Sequence, residues 1–286
     1  MRAIAPDGMA QDVGCSCLVL ACNGYGGNAA LVREHIPEMS DALYFGHTGN
    51  QGEAVIWGHA LGAKLADMSG YQGHGSVAHP HGALISWALM MEGGIQINTA
   101  GERFSNEHDG YSEQAERVIR QPDQTAYALF DDRILALARE FPDFCGAEAA
   151  GALISAASIA EMENRLGVSV GALKATLDDV AACQSGQQED SFGRDFTTKP
   201  ALNGAIHAIR VTGALFHTQG GLDINLDAEV IDANGQPLGG LLAAGGAARG
   251  VSGPDVSGYL SGNGLLTAIT LGRIAGRRAA VLLADS

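Results

Sequence analysis

The sequence has few charged residues, few aromatic residues and no excess of positive charge. Charged residues make up 17% of the 286 residues and aromatic residues 6%, whereas an average protein has about 25% charged residues. The 17 Lys and Arg are outnumbered by 32 Asp and Glu, which gives a formal net charge of −15. Because binding to nucleic acid or to an anionic membrane surface needs positive charge, neither partner is expected.

Membrane-spanning and secretory patterns are also missing. The longest apolar stretch, roughly residues 149–160, is interrupted by Gly and Ser and is shorter than the ~18–20 residues of a spanning helix. No basic region followed by an apolar one occurs in the first twelve residues, so no signal peptide is expected.

The five cysteines predict reduced, buried thiols in a cytoplasmic protein. No metal site is expected, because Cys15-x-Cys17 and His79-x-His81 lack further ligands nearby.

Glycine, by contrast, is abundant, with 40 residues at about twice the average usage. It separates apolar runs of strand length at 15–22 and after Pro200, and Asn234-Gly235 predicts a tight hairpin. The alternating stretch 94–98 also predicts a hairpin. Helical spacing predicts helices within 30–39, 52–68, 112–120, 131–141, 147–166 and 170–183, and a last helix after the glycine-rich loop 249–264. We therefore predict an α/β (α+β) protein with strand-rich ends and a helical middle.

One glycine motif suggests a dinucleotide site. The segment Gly24–Ala29 fits G-x-G-x-x-A, follows a strand-like run and precedes a helical pattern, as nicotinamide-binding Rossmann motifs do. A single match in such a glycine-rich chain is weak support. A nicotinamide-dependent enzyme is therefore kept as an alternative.

Several blocks in a fixed order are more specific than this motif. They are 20–28 (LACNGYGGN), 52–68, 101–107 (GERFSNE), 191–194 (SFGR), 217–222 (HTQGGL) with 240–245, and 261–276. In this order they resemble the FAD-dependent flavoprotein family of fumarate reductases, succinate dehydrogenases and 3-ketosteroid dehydrogenases. The resemblance covers nearly the whole chain, and its specificity comes from the ordered occurrence of the blocks.

The resemblance implies a partial FAD-binding Rossmann-like domain, residues 1–70 and 206–286, interrupted by a helical and β capping domain, residues 71–205. Members of the family open with a strand, a G-x-G-x-x-G loop and a helix that bind the FAD pyrophosphate. Nothing before Cys15 has this pattern. We therefore expect a C-terminal portion of such a flavoprotein that binds FAD weakly or not at all by itself. Its uncovered apolar surface predicts a homo-oligomer or a partner that supplies the missing segment.

The resemblance also implies the catalytic residues. Such enzymes move a hydride between a substrate carbon and the flavin while a side chain moves a proton. His74 and Ser86 stand at substrate-binding positions, Tyr111 at the proton-transfer position, and Tyr259 where relatives have a carboxylate-binding Arg. Two plainer interpretations stay open, since His74 could be satisfied by its own loop and Tyr111 could be a core aromatic.

Three of the family's anion-binding positions are neutral here, at Tyr111, Tyr259 and Phe216. Burying two carboxylates without cationic partners costs several kcal/mol each. The expected substrate is therefore a neutral carbonyl compound or one with a single carboxylate. The expected function is an FAD-dependent oxidoreductase acting on a C–C bond beside that group, and the further alternative is a catalytically inactive, flavin-free oligomeric remnant.

For the cofactor, FAD, the resemblance implies a set of contacting residues at strand ends, glycine loops and the start of the last helix. They are Ala21, Glu53, His217, Gly220, Gly221, Gly246, Gly264 and Leu265. Gly246 stands where the family has a cofactor-binding Glu. The amides that open the last helix are expected to face the pyrimidine edge of the flavin.

Overall fold

Residues 1–284 are described in a computed structural model of the chain. They form nine helices, α1 to α9, at Ala29–His35, Glu53–Ala60, Ala88–Met91, Tyr111–Ile119, Asp132–Ala138, Pro142–Ala149, Ile159–Leu166, Ala172–Gln184 and Asn263–Ala284. Strands β1 to β14 lie at Arg2–Ile4, Ala10–Asp12, Leu18–Leu20, Leu43–Tyr44, Leu65–Ala66, Tyr71–Ala78, Ala83–Leu84, Ile95–Ile97, Thr125–Asp131, Leu153–Ala156, Ile206–Thr218, Gly221–Leu222, Glu229–Ile231 and Pro237–Ala243. The predicted mixture of helices and strands is confirmed.

The chain divides into two compact units. The first, here called the terminal unit, consists of Met1–Pro37, Gly46–Gln72 and His217–Ser286. The second, here called the inserted unit, consists of Glu38–Phe45 and Gly73–Phe216. The predicted role of each segment, flavin domain or cap, remains a prediction.

The inserted unit is built on one sheet with the strand order β7-β6-β11-β9-β8, and β10 and β4 also pair with β11. The pairing of β11 with β9 and β10 is antiparallel, and that with β4 is parallel. Side chains of a strand point alternately to opposite faces. Accordingly Ala128 and Phe130 enter one apolar cluster, and Leu129 enters another. Both faces of the sheet are therefore covered, and the core lies on each side of it.

The terminal unit has a smaller sheet. Its strand order is β13-β14-β3, with β13 and β14 antiparallel and β14 and β3 parallel. The apolar cluster beneath it joins Leu20, Leu222, Val230 and Ala243. The hairpin predicted at Asn234-Gly235 is confirmed, because this turn joins β13 to β14 and Gly235 has a φ of +78°.

Three predicted elements are shorter than expected. Within 15–22 only Leu18–Leu20 forms a strand, and α1 covers Ala29–His35 before Pro37 opens a single 3₁₀ turn. The helix predicted at 52–68 ends at Ala60, because Gly62 takes a φ of +90° and β5 follows. A left-handed glycine of this kind ends a helix at little conformational cost.

Two predictions were wrong in kind. The helix expected over 147–166 is two helices, α6 and α7, separated by β10, because Gly151 has a φ of +85° and Ser158 caps α7 by accepting from Glu161 N–H. The stretch 94–98 does contain a strand, β8, but its partner is β9 instead of the segment after the turn. The first error arose because the spacing of apolar residues in a short run, such as the one that forms β10, does not distinguish a buried strand from a helix.

The cysteines are free, as expected, but only Cys183 is buried, and Cys15, Cys22 and Cys145 are exposed. The prediction of five buried thiols was therefore wrong. Among residues 1–284, no helix combines the length and the apolar character needed to cross a bilayer.

Candidate functional site

His74 lies on β6 of the inserted unit and is 5% exposed. Its Nδ1 accepts a hydrogen bond from the Ser76 backbone N–H at 3.1 Å. Burial lowers the pKa of His74 to about 3, since the charged form loses its hydration. At neutral pH the ring is therefore uncharged and carries its proton on Nε2, where it is a hydrogen-bond donor.

Three aromatic side chains contact this imidazole and a fourth stacks on one of them, and the five rings together are called the ring cluster. Tyr111 stacks on His74 with centroids 5.0 Å apart and Phe216 with centroids 5.4 Å apart. Trp87 meets the imidazole edge-on at 5.8 Å, and Phe45 stacks on Phe216 at 4.9 Å. The ring cluster contains no cationic group at neutral pH, because its one basic side chain, His74, is uncharged there. The structure thus brings together two predicted catalytic residues, His74 and Tyr111, in an apolar setting.

Tyr111 is the first residue of α4 and is half-buried. Ser86 lies just before α3, and its hydroxyl accepts from the Ala88 N–H at 3.3 Å. The residue after it, Trp87, donates its indole N–H to the Glu107 carbonyl at 3.2 Å. Ser86 therefore starts the turn that places Trp87 against His74.

Tyr259 belongs to the terminal unit. It follows a short 3₁₀ turn at Val256–Gly258 and donates its backbone N–H to the Val256 carbonyl at 3.1 Å. Its side chain is half-buried. Its proposed place at the substrate stays a prediction.

A chain of polar side chains in the terminal unit begins at His217. Nε2 of His217 lies 3.2 Å from Asn23 Oδ1, and Nδ1 lies 3.1 Å from Gln219 Nε2. The Ser252 hydroxyl donates to Gln219 Oε1 at 3.3 Å and accepts from Asn263 Nδ2. Burial lowers the pKa of His217. Both ring nitrogens of His217 therefore already have protein partners. The predicted cofactor contact of a neutral His217 would have to use its ring face or its backbone.

The chain of polar groups ends where α9 begins. Asn263 is 2% exposed, and its Oδ1 has no hydrogen-bond partner in the part of the chain that the structure describes. The backbone N–H groups of Gly264 and Leu265 are in the first turn, where a helix leaves its donors unpaired, and open space lies beside Gly264. With 22 residues, α9 also presents a positive dipole end here.

These groups fit the flavin ring that the resemblance implies. Free helix N–H donors suit its carbonyl oxygens, and the buried Asn263 Oδ1 is an acceptor in need of a donor. The Gly264 and Leu265 predictions therefore fall at a suitable place, although Leu265 has its side chain exposed.

The other predicted cofactor residues occupy varied places. Ala21 is exposed after β3, and Glu53 opens α2. The three glycines are already required by the protein's own packing. A Cβ on Gly220 would lie 2.3 Å from Asp67 O, one on Gly221 2.7 Å from Ala247 O, and one on Gly246 2.2 Å from Asn23 Oδ1.

The space around the Gly24–Ala29 turn is occupied by other residues of the terminal unit. Tyr25 is fully buried and donates its hydroxyl to Met68 O, and a Cβ on Gly24 would lie 2.1 Å from Thr218 Oγ1. The Asn28 side chain accepts from the first free amides of α1. Since these amides are the ones a pyrophosphate would use, the geometry gives no support to the nicotinamide alternative.

Sequence reasoning missed a buried ion network in the inserted unit. Glu107, which is fully buried, pairs with Arg103 at 2.8 Å and with Arg194 at 2.9 Å, and Arg103 also pairs with Asp190 at 2.5 Å. Burial opposes ionisation of Glu107, but the two guanidinium groups hold its pKa below the usual range. The 101–107 and 191–194 blocks contain three of these residues, so their joint presence was a usable signal.

In residues 1–284, no three His, Cys, Asp or Glu side chains are grouped to hold a metal ion.

The chain matches the FAD binding domain family over residues 15–265. The NADH:fumarate oxidoreductase of Klebsiella pneumoniae is 31% identical over 92% of this chain and 28% of its own length. The urocanate reductase of Eggerthella lenta is 28% identical over 96% of this chain and 46% of its own length. The chain therefore spans less than half the length of either relative.

Solved structures show the same likeness. The open conformation of a flavocytochrome c3 fumarate reductase has a TM-score of 0.75 and 28% identity, over 94% of this chain and 47% of that one. A 3-ketosteroid Δ1-dehydrogenase of Sterolibacterium denitrificans has a TM-score of 0.71 and 22% identity, over 96% of this chain and 55% of that one, and shows a shared fold. The resemblance found in the sequence is confirmed: the chain belongs to the FAD binding domain family of flavoproteins.

Proposed function

We propose that the chain provides the substrate cap and part of the flavin site of an FAD-dependent oxidoreductase. The reaction is hydrogen transfer at a C–C bond beside a carbonyl or a single carboxylate. The observation that carries this proposal is the neutral His74 stacked on Tyr111 within a ring cluster that contains no cation. The names of the relatives, a fumarate oxidoreductase and a urocanate reductase, support the reaction class. When bound, FAD supplies hydride transfer to or from the substrate carbon.

His74 binds the carbonyl. Its Nε2–H is a neutral donor in a dry environment, where a hydrogen bond to a carbonyl oxygen is strengthened. The ring cluster offers no cation, so a second carboxylate placed there would be desolvated without compensation. A ketone, an enone or a mono-carboxylate therefore fits this surface better than a dicarboxylate.

Tyr111 moves the proton. Its ring stacks on His74, so its hydroxyl belongs to the same surface that holds the carbonyl. Proton transfer to or from the carbon beside the carbonyl completes the change that hydride transfer begins. Residues 71–205 act as the cap in this scheme, and the terminal unit contributes the flavin contacts at Gly264 and Leu265.

The test is anaerobic stopped-flow oxidation of dithionite-reduced FAD in the presence of the chain. Cyclohexenone, acrylate and fumarate are compared, with free reduced FAD as the control. Cyclohexenone or acrylate is expected to reoxidise the flavin at least about 10-fold faster than fumarate, equivalent to ~1.4 kcal/mol of barrier. Faster reaction with fumarate contradicts the proposed substrate class. Rates equal to those of free FAD favour the flavin-free alternative.

The role of Tyr111 is tested in the same assay. Tyr111→Phe is expected to slow flavin reoxidation by ~10²–10⁴-fold without changing FAD affinity, since a general acid contributes about this factor. The matched control is Tyr127→Phe on β9, whose hydroxyl donates to the Leu166 carbonyl. A Tyr111→Phe protein that reacts at the parent rate removes Tyr111 from the mechanism.

A further inference from the structure

The two backbone groups that flank His74 are held by side chains. The Gly73 N–H donates to Ser112 Oγ at 2.7 Å. The Gly75 carbonyl accepts from Gln96 Nε2 at 2.8 Å. The backbone is therefore fixed immediately before and immediately after the imidazole.

Both of these contacts lead to α4, the helix that begins at Tyr111. Ser112 is its second residue. Gln96 Oε1 accepts from Gln114 Nε2 at 2.9 Å, and Gln114 Oε1 accepts from the Ser105 hydroxyl at 2.9 Å. The strand that carries His74 and the helix that carries Tyr111 are thus joined by two hydrogen-bonded routes.

These side chains are deeply buried. Ser112 and Gln114 are 2% and 0% exposed, and Gln96 is 1% exposed. Leaving a buried amide unpaired costs about 1–3 kcal/mol, so a shift of α4 along the strand is penalised at several bonds at once. The approach is also sterically tight, because a Cβ on Gly75 would lie 2.7 Å from Gln114 Cβ.

We propose that Ser112 and Gln114 are positioning residues that hold the Tyr111 ring against the His74 ring. This inference rests on the proposed function, in which one carbonyl compound contacts both rings. A displacement of about 1 Å between reacting groups can cost ~10²-fold in rate. Two rings on separate elements therefore need a connection that fixes their separation, and the four polar side chains provide it.

The first test needs no turnover. The chain is labelled with ¹³C and ¹⁵N, and NMR detects the ring-to-ring Overhauser effects between His74 and Tyr111 and the imidazole tautomer. Ser112→Ala and Gln114→Met are expected to weaken these contacts and broaden the His74 signals, whereas Ser112→Thr, which keeps the hydroxyl, restores them. The matched control is Gln121→Met. Gln121 lies just beyond the end of α4, and its side chain donates to the carbonyl of Arg117 within that helix. Unchanged ring contacts in Ser112→Ala overturn the proposal.

The second test is a double-mutant cycle in the FAD-loaded protein with cyclohexenone. Ser112→Ala is expected to lower kcat by ~10–100-fold, with KM changed by less than about 3-fold, and to add no further loss in a Tyr111→Phe background. If Ser112 has only a structural role, Ser112→Ala lowers the melting temperature and leaves kcat unchanged, and its effect is independent of Tyr111→Phe in the double mutant. If the parent protein has no turnover, the proposed function fails while the NMR result still decides the positioning role. Gln114→Met is the variant at risk of misfolding. Both tests can still be decided with the two Ser112 variants, Ser112→Ala and Ser112→Thr.

Discussion

The two units of this chain differ in the side chains that are most notable in each: buried, paired charges in the inserted unit and exposed apolar groups in the terminal unit. The inserted unit holds Glu107, Arg103 and Arg194 in a dry ion network, and its sheet is covered on both faces. The terminal unit contains most of the large apolar side chains that are exposed in residues 1–284, among them Trp57 and Ile269 at 50% and 72%. The inserted unit thus keeps charged groups buried and paired, whereas the terminal unit has most of the exposed large apolar side chains, which we propose as a surface for association.

The largest expected effect comes from breaking the ion network of the inserted unit. Glu107→Gln leaves Arg103 and Arg194 buried without their shared carboxylate, so we expect the free energy of unfolding to fall by about 3–5 kcal/mol. Urea unfolding followed by circular dichroism measures this. The control is Glu161→Gln, which removes an exposed pair with Arg165 and should cost less than about 1 kcal/mol. A comparable loss in both variants would contradict the contrast between buried and exposed pairs.

The second effect is acid destabilisation through His74. Its pKa is about 3 in the folded chain against 6.5 ordinarily, so the unfolded state takes up a proton that the folded state refuses. The stabilising contribution is complete above pH ~6.5 and is lost as the pH falls towards ~3, by about 2 kcal/mol between pH 7 and pH 5.

Unfolding curves at these two pH values, for the parent and for His74→Gln, isolate that contribution because the two proteins differ only in the group at position 74. The variant should lose correspondingly less stability on acidification. His79→Gln, on an exposed residue, serves as the control. Equal pH dependence in the parent and His74→Gln would show that His74 is readily protonated in the folded protein.

The smallest effect on stability concerns the exposed apolar surface of the terminal unit. Trp57→Gln and Ile269→Gln together should change the free energy of unfolding by about 0.5 kcal/mol or less per site. They should nevertheless reduce self-association measured by light scattering. Val170→Gln, at a 95% exposed site of the inserted unit, should leave association unchanged. A parent chain that is already a monodisperse monomer contradicts the expected homo-oligomer.

Local signals in the sequence were reliable where they were self-contained. The hairpin at Asn234-Gly235 needs only the turn residues and their neighbours, and it is present. The segment 147–166 was misread because β10 exists only through its pairing with β11, which is distant in sequence. Non-local pairing overrides local spacing, and no window of the sequence contains it.

The candidate site divides in the same way. His74 and Tyr111 were found from the ordered blocks, and their ring contact is seen in the structure. Ser112, Gln96 and Gln114 gave no signal, because buried and exposed glutamines look alike in a sequence. The positioning role proposed for them rests on hydrogen bonds that only the folded backbone creates.

The parallel pairing of β3 with β14 has a consequence for how the protein is made. Leu18 of β3 pairs with Leu241 of β14, so β3 emerges from the ribosome long before its partner does. At about 5–20 residues per second, the wait is on the order of ten seconds or more. The strands of the inserted unit meet earlier, because β9, β10 and β11 are all made before β14. During synthesis, β3 therefore stays without its partner strand until β14 has been made, and its unpaired backbone groups can meanwhile pair with another chain.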